Sequence, residues 1–275
     1  MGFLLVMKAE IVRSWIMTRR YWFRSITGII IGYGMLMVLI AGFIYSRDAI
    51  HDKFQTAEQA TNYVLGFIIG MFAFGVVGLF SQGLQSMATA GVLEQLCMSP
   101  HGLITNFLAR MTVGSVMTIL SSCVLVWLVT ISVGGKLYFD FLPVATLLAL
   151  TFVNLLGFGF MVGGLVLVFK QVGQLAIILR MALFGLAIFA SPKLLEQPLI
   201  FRLFIHALPV TDAVICLKYV LIENQQLHDG THLSIFMYSS FFWLLGSCVV
   251  WNVIGLTLFK YMENYSRYEG TLGAY

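Results

Sequence analysis

Six long runs of apolar residues dominate the chain, and shorter polar segments separate them. Each run approaches or exceeds the ~20 residues that an α-helix needs to cross a bilayer. The alternating polar and apolar pattern of a membrane β-barrel is absent, and lipid leaves only helices or closed barrels as spanning structures. The pattern therefore predicts an all-α integral membrane fold with six transmembrane helices, at 26–45, 62–82, 104–133, 141–169, 174–190 and 234–259.

The first 25 residues are typical of an amphipathic helix. Basic residues are spread through the segment instead of preceding an apolar core, so the pattern of a signal peptide is absent. We predict an interfacial helix over 1–25 on the cytoplasmic leaflet, with a regulatory or partner-binding arm as the alternative. Its apolar face comprises Phe3, Leu4, Met7, Ile11, Trp15 and Trp22, and its basic face comprises Arg13, Arg20 and Arg24.

The composition excludes an ordinary soluble domain. Hydrophobic residues make up 60% of the chain and charged residues 10%, whereas soluble proteins carry ~25% charged residues. Lys8, Arg13, Arg19, Arg20 and Arg24 precede the first predicted span. Because cytoplasmic flanks carry excess Lys and Arg, this bias places the N-terminus, and after six spans the C-terminus, in the cytoplasm. The net charge of +4 then reflects membrane topology, and we expect no nucleic-acid partner.

The connection over 192–232 is the longest between predicted spans. It holds two apolar stretches, 199–208 and 210–222, separated by Pro209. Each stretch is too short to cross ~30 Å of hydrocarbon as a helix. The segment therefore predicts an outer re-entrant or interfacial helical pair before the last span.

Pairs of glycines four residues apart occur in three predicted spans. This G-x-x-x-G spacing lets helix backbones approach closely. We predict packing between spans of the same chain, with a dimer contact or a sliding transport surface as alternatives. The pairs are Gly28 and Gly32, Gly66 and Gly70, and Gly159 and Gly163.

Arg180 is the one charge in the interior of a predicted span, since Arg110 lies at the cytoplasmic edge of the third. Its side chain either extends back to the cytoplasmic interface or faces a central cavity or an inner-leaflet headgroup. Aromatic residues of the second and fifth spans either line a route for a lipidic or amphipathic molecule or pack against lipid and neighbouring helices. With Arg180, the candidates for a substrate pathway are Phe67, Phe72, Phe74, Phe184 and Phe189.

The segment 88–100 is typical of a short helix closed by a proline. With Gly91 as N-cap, Glu94 falls at the third helical position, where its carboxylate caps free N–H groups and faces the positive end of the helix dipole. Pro100 disfavours helical dihedrals at Ser99, and Ser99 suits the N-cap of the next span. The apolar stripe that needs a surface on which to dock comprises Val92, Leu93, Leu96 and Cys97.

Three common nucleotide-binding and catalytic motifs are absent from the sequence. No G-x-x-x-x-G-K-[ST], H-E-x-x-H or G-x-S-x-G occurs. His228 and His232 lie beside Asp229 at a spacing that suits a metal, but Gly230 interrupts it, and a solvated loop is the favoured interpretation. The four cysteines lack C-x-x-C spacing and are expected to be free thiols. We therefore expect no catalytic residue, metal or cofactor in this chain.

Two segments carry a resemblance to a known family. The sequence G-V-L-E-Q-L-C-M-S-P from Gly91 to Pro100 resembles the G-T-L-E-Q-L-x-x-S-P signature of type 2 ATP-binding-cassette (ABC) exporter permeases, which lies between spans two and three. The sequence L-P-V-T-D-A-V, residues 208–214, is similar to the N-P-L-T motif of that family. The chain departs from the family pattern at three positions: Val92 replaces Thr, Leu208 replaces Asn, and Lys218 stands where Arg is common.

The resemblance implies a permease subunit that a separate ATPase subunit drives, with ATP and Mg bound by that ATPase. The helix within 88–100 would be the coupling helix, which inserts the Val92, Leu93 and Leu96 stripe into a groove of the ATPase. Glu94 would pair with a basic residue there. The implied contact residues are Gly91, Val92, Leu93, Glu94, Gln95, Leu96, Met98, Ser99 and Pro100.

The resemblance also implies an assembly and a location. One chain supplies half of a pathway, so two permease copies, as a homodimer or a heterodimer, and two ATPase copies are expected. The implied location is the inner or plasma membrane of a bacterial cell. The implied cargo is hydrophobic or amphipathic, such as a drug, a lipid or a lipid-linked glycan. An ATP-independent secondary transporter or channel is the alternative, although the predicted spans lack the Asp and Glu residues that such proteins generally carry.

Overall fold

The computed structural model describes residues 2–45, 53–133, 141–168, 173–190, 198–221 and 238–268. Every regular element in these ranges is an α-helix, and no strand occurs in them. The helices are α1 (Gly2–Arg20), α2 (Trp22–Tyr45), α3 (Lys53–Thr89), α4 (Val92–Cys97), α5 (Gly102–Val133), α6 (Phe141–Val168), α7 (Gly173–Phe189), α8 (Leu199–Ala207), α9 (Thr211–Leu221) and α10 (Ser239–Tyr268).

Within the described ranges, four helices are long and apolar enough to cross a membrane: α3, α5, α6 and α10. The prediction of an all-α, multi-pass membrane protein is therefore confirmed. The other two predicted spans lie in α2 and in α7, which is a shorter apolar helix. The axes of Phe3–Arg20 and Ser25–Val38 differ by 74°. The six-span arrangement remains a prediction.

The helix α1 covers most of the predicted interfacial segment. It packs against α5, while Leu4, Ile11 and Trp15 of the predicted apolar face are exposed. No described part of the chain covers these side chains, so they are available for contact with lipid.

The helix α3 occupies the centre of the bundle and packs against α5, α6 and α7. Glycines determine how closely these helices approach. At Gly66 a Cβ would lie 2.6 Å from the Ala187 carbonyl oxygen of α7, and at Gly70 it would contact Phe184. At Gly159 a Cβ would overlap the Phe80 ring. The prediction that these glycines pack within the chain is confirmed, whereas Gly28 has no heavy atom within 4 Å of an ideal Cβ.

Four buried phenylalanines join four helices in one cluster. Phe80 of α3 lies edge-on to Phe107 of α5 at 5.3 Å and to Phe160 of α6 at 5.1 Å between ring centroids. Phe259 of α10 lies 5.3 Å from Phe160 and stacks with Phe107 at 6.2 Å. Such ring pairs contribute about 0.5–1.5 kcal/mol beyond area burial. This cluster fixes the half of the bundle that is nearer to α4.

Two short helices, α8 and α9, form a hairpin in the part of the 192–232 segment that the structure describes. The tip of the hairpin, 205–211, lies beside Asn154 near the middle of α6 and Trp251 near the middle of α10. The tip of the hairpin therefore lies about halfway along α6 and α10, and the re-entrant placement of the pair in a membrane stays a prediction.

Candidate functional site

The helix α4 stands between two turns that each require a glycine. Gly91 has φ +68° and donates its N–H to the Ala88 carbonyl oxygen at 3.0 Å; Gly102 has φ +71° and donates to the Ser99 carbonyl oxygen at 3.0 Å. Residues with a side chain rarely adopt this left-handed conformation. The next helix begins at Gly102 and not at Pro100 as predicted. A four-residue turn from Ser99 to Gly102 intervenes, and Pro100 occupies the second position of that turn, which proline favours.

Three of the four residues of the apolar stripe of α4 face the core of this chain, and Val92 does not. Leu93 is 0% exposed, and Leu96 and Cys97 pack against the same core. Leu93 therefore anchors α4 to its own chain, because a helix of six residues has little stability of its own and depends on tertiary packing; docking of the stripe in a partner stays a prediction. The opposite surface, here called the α4 outer face, consists of Gly91, Val92, Gln95 and Met98, with Val92 39% and Met98 79% exposed. The Glu94 side chain lies outside the described set.

The surroundings of α4 are held by polar contacts. The side-chain amide of Asn106 in α5 donates to Ser99 Oγ at 2.9 Å and to the Gly102 carbonyl oxygen at 2.8 Å. A groove of about 290 Å³ lies between α1, α4 and the adjoining ends of α3 and α5. Its lining includes Arg110 and the ion pair of Arg13 with Glu10, 3.0 Å apart. The outer face of α4 and this charged groove form one continuous surface.

Arg180 of α7 lies against the middle of α3. Its Nε donates to the Phe74 carbonyl oxygen at 3.0 Å, and its guanidinium carbon lies 3.7 Å from the centre of the Phe74 ring. The residue is 5% exposed, and it fits because Gly78 has no side chain; a Cβ there would overlap the guanidinium. The Arg180 guanidinium therefore lies against α3 inside the bundle. No carboxylate in the described residues forms an ion pair with it.

Three of the five predicted pathway phenylalanines come together beside Arg180. The Phe184 ring lies 5.0 Å from Phe67 and 6.5 Å from Phe74, edge-on to both. With Arg180 these residues form what we call the α3–α7 cluster. Phe72 is not part of it, because it lines a cavity between α3, α5, α6 and α9. Phe189 is also separate, exposed at the end of α7.

Side chains from distant helices bind the carbonyl groups of the hairpin tip. Asn154 Nδ2 donates to the Pro209 carbonyl oxygen at 2.9 Å, and Trp251 Nε1 donates to the Ala207 carbonyl oxygen at 2.9 Å. Thr211 Oγ1 donates to the Ile205 carbonyl oxygen at 2.5 Å. Irregular backbone at membrane depth is tolerated only where protein or water satisfies it, so these bonds allow the tip to sit inside the bundle. Neither Asn154 nor Trp251 is among the functional residues predicted from the sequence.

A buried ionisable pair also lies at the tip. His206 Nδ1 is 2.8 Å from Asp212 Oδ1 and 3.0 Å from Oδ2, and the His206 ring stacks on Trp243 at 4.6 Å. Further along α9, Lys218 Nζ donates to the Ala190 carbonyl oxygen at 2.6 Å. The His206–Asp212 pair joins the end of α8 to the start of α9, and Lys218 joins α9 to the residue that follows α7. Two features of the sequence pointed to these residues: Asp212 lies within the 208–214 motif, and Lys218 stands where Arg is common in the family that the chain resembles.

No group of three or more His, Cys, Asp or Glu suited to a metal occurs in the part of the chain that the structure describes. His228, Asp229, Gly230 and His232 lie outside that part.

Comparison with known proteins identifies a family. The family model described as ABC-2 type transporter matches residues 6–222, which is well over half of the chain. The match includes α4, the α3–α7 cluster and the α8–α9 hairpin. No curated protein matches the chain.

Proposed function

Because this chain belongs to the ABC-2 type transporter family and is therefore a permease subunit, we propose that it works in an ATP-driven exporter. A separate ATPase subunit, in two copies, would bind ATP and Mg and supply the energy. Two permease copies, most simply a homodimer, would enclose the pathway. Both termini and α4 would lie in the cytoplasm of a bacterial cell, and the α8–α9 hairpin would lie in the outer half of the inner membrane.

The observation that carries the proposal is the α4 outer face. The helix α4 joins α3 to α5 directly, and Leu93 fixes it to the core. Its opposite side leaves Val92 and Met98 exposed, so this side of the helix is accessible to a partner. In this proposal α4 is the coupling helix and transmits closure of the ATPase to α3 and α5 as a rigid element. The contact uses the outer face and the neighbouring charged groove.

Copurification with the ATPase tests this contact. Met98→Asp places a charge in the outer face without entering the core, and should weaken ATPase binding at least about tenfold, equivalent to ~1.4 kcal/mol. Tyr268→Asp is the matched control, because Tyr268 is exposed at the end of α10. Leu93→Asp would not discriminate, because it would disrupt the core. Undiminished binding and ATPase stimulation by Met98→Asp would contradict the proposal, as would transport by this chain without ATP.

We place the cargo route along the α3–α7 cluster. Arg180 supplies a positive charge with no carboxylate partner in the described residues, and the rings of Phe67, Phe74 and Phe184 supply apolar contact. This combination favours an amphipathic cargo with an anionic group. Arg180→Leu should reduce transport while Arg180→Lys retains part of it. Normal transport by a correctly assembled Arg180→Leu variant would refute this role.

A further inference from the structure

A cavity of about 450 Å³ lies between α3, α5, α6 and α9, on a different side of α3 from the α3–α7 cluster. We propose that it binds the acyl chain of a bilayer lipid. Ser122 and Cys123 are the polar members of its lining, and none of its lining residues is charged. The lining comprises Leu65, Ile68, Ile69, Phe72, Ile119, Ser122, Cys123, Val126, Trp127, Val144, Leu148, Leu217 and Leu221.

The cavity has exposed side chains in the wall that α5 supplies. Its lining from α5 follows helical spacing from Ile119 to Trp127, so one face of that helix forms the wall. At the edge of this wall, Cys123 and Trp127 are exposed, with Trp127 at 64%. Other apolar residues of α5, including Leu120 and Val124, are also exposed along this membrane-spanning helix. In a bilayer, the medium beside these side chains would be hydrocarbon.

The size and lining of the cavity fit an alkyl chain. An apolar cavity of ~150 Å³ stays free of water and accommodates a benzene ring; about 450 Å³ is three times that volume. The two polar side chains of the lining, Ser122 and Cys123, are adjacent on α5, so most of the cavity offers a water molecule none of the two to four polar partners that it needs. Since no charged side chain is present to hold a headgroup, recognition would act on the chain, and the headgroup would stay in the bilayer.

The helix α9 contributes Leu217 and Leu221 to the lining of the cavity. These residues belong to the same hairpin whose tip is bound to α6 and α10. An acyl chain in the cavity would therefore support the hairpin from the side. This inference requires only that the helices lie in a bilayer, and it does not depend on the ATPase or on the nature of the cargo.

Photocrosslinking tests the proposal on the full chain in nanodiscs. The probe is a phosphatidylcholine with a diazirine in one acyl chain, and crosslinked peptides are mapped by mass spectrometry. We expect saturable crosslinks at 119–127 and 144–148 that excess unlabelled phosphatidylcholine removes. Ser122→Phe adds a ring inside the cavity and should lower these crosslinks about tenfold, equivalent to ~1.4 kcal/mol. Val124→Phe is the control, because it adds the same ring on the exposed side of α5.

The results of this experiment distinguish a lipid bound in the cavity from annular lipid and from a second copy of the chain. Unsaturable crosslinks spread evenly over all exposed helix faces would indicate annular lipid only and would overturn the proposal. Efficient disulfide formation between Cys123 of two copies would also overturn it, because a second copy would then cover these side chains of α5. If Ser122→Phe fails to fold, the wild-type competition decides alone: saturation supports the site, and its absence refutes it.

Discussion

Replacing Gly255 with alanine tests the closest approach between α6 and α10. An ideal Cβ at Gly255 would fall on the carbonyl oxygen of Gly157, and one at Gly157 would fall on the backbone of Trp251 and Asn252. The obstacle at each position is backbone and not the flexible end of a side chain. The two helices must therefore move apart to accept a methyl group.

The expected cost follows from two opposing effects. Insertion of extra volume into a well-packed site costs about 1–3 kcal/mol, whereas Gly→Ala within a helix contributes roughly 0.5–1 kcal/mol of stability. Separation of the helices also lengthens the hydrogen bond from Asn252 Nδ2 to the Val153 carbonyl oxygen, which is 2.8 Å in the native protein. We expect Gly255→Ala to lower the free energy of unfolding by ~1–2 kcal/mol.

Thermal unfolding in detergent, followed by tryptophan fluorescence, measures this effect. A change of 1 kcal/mol corresponds to about 2–4 °C in Tm for a chain of roughly this size. The control is Gly246→Ala in the same helix, because no heavy atom lies within 4 Å of an ideal Cβ there. Gly246→Ala should be neutral or stabilising. Equal Tm values for the two variants would refute the inference that backbone contact at Gly255 holds α6 against α10.

Three further substitutions test the local structure by the same melting assay. Asn154→Leu leaves the Pro209 carbonyl oxygen without its side-chain donor and should cost about 1–3 kcal/mol; an unchanged Tm would show that this bond is not needed. Gly91→Ala forces a side chain into the left-handed region and should cost ~1–2 kcal/mol, whereas Gly185→Ala, with open space at its Cβ, should not destabilise. Leu93→Ala should cost about 2–5 kcal/mol, and native stability in this variant would contradict its burial in the core.

The predicted spans match helices, but their lengths differ for a physical reason. The helix α3 begins at Lys53 and ends at Thr89, whereas the predicted span covers 62–82; α10 continues to Tyr268, beyond 259. Hydropathy detects only the part of a helix that hydrocarbon surrounds. Backbone hydrogen bonding continues past that part as long as no breaker intervenes. The residue that ends α3 is Gly91, which has a φ of +68°. The sequence shows only that a glycine stands there, and not that its backbone adopts this conformation.

The direction of the α4 stripe could not be predicted from sequence. An apolar stripe on a short helix serves equally well to anchor the helix to its own chain or to bind a partner. Leu93 is buried because the adjoining ends of α3 and α5 provide a core for it. Likewise the Asn154 bond to Pro209 joins residues 55 positions apart. Local patterns carry no signal for a contact that only the packing of helices creates.

The packing suggests how a movement of α4 would reach the hairpin. Along α6, three residues on successive turns make three different contacts: Phe160 belongs to the phenylalanine cluster, Gly157 meets the α10 backbone, and Asn154 holds the hairpin tip. The cluster also contains Phe80 and Phe107, which come from the two helices that α4 joins. Tightly packed elements move as units and not by continuous deformation. A displacement of α4 would therefore shift α3 and α5, and through the rings α6, and would reach the tip through side-chain and backbone contacts alone.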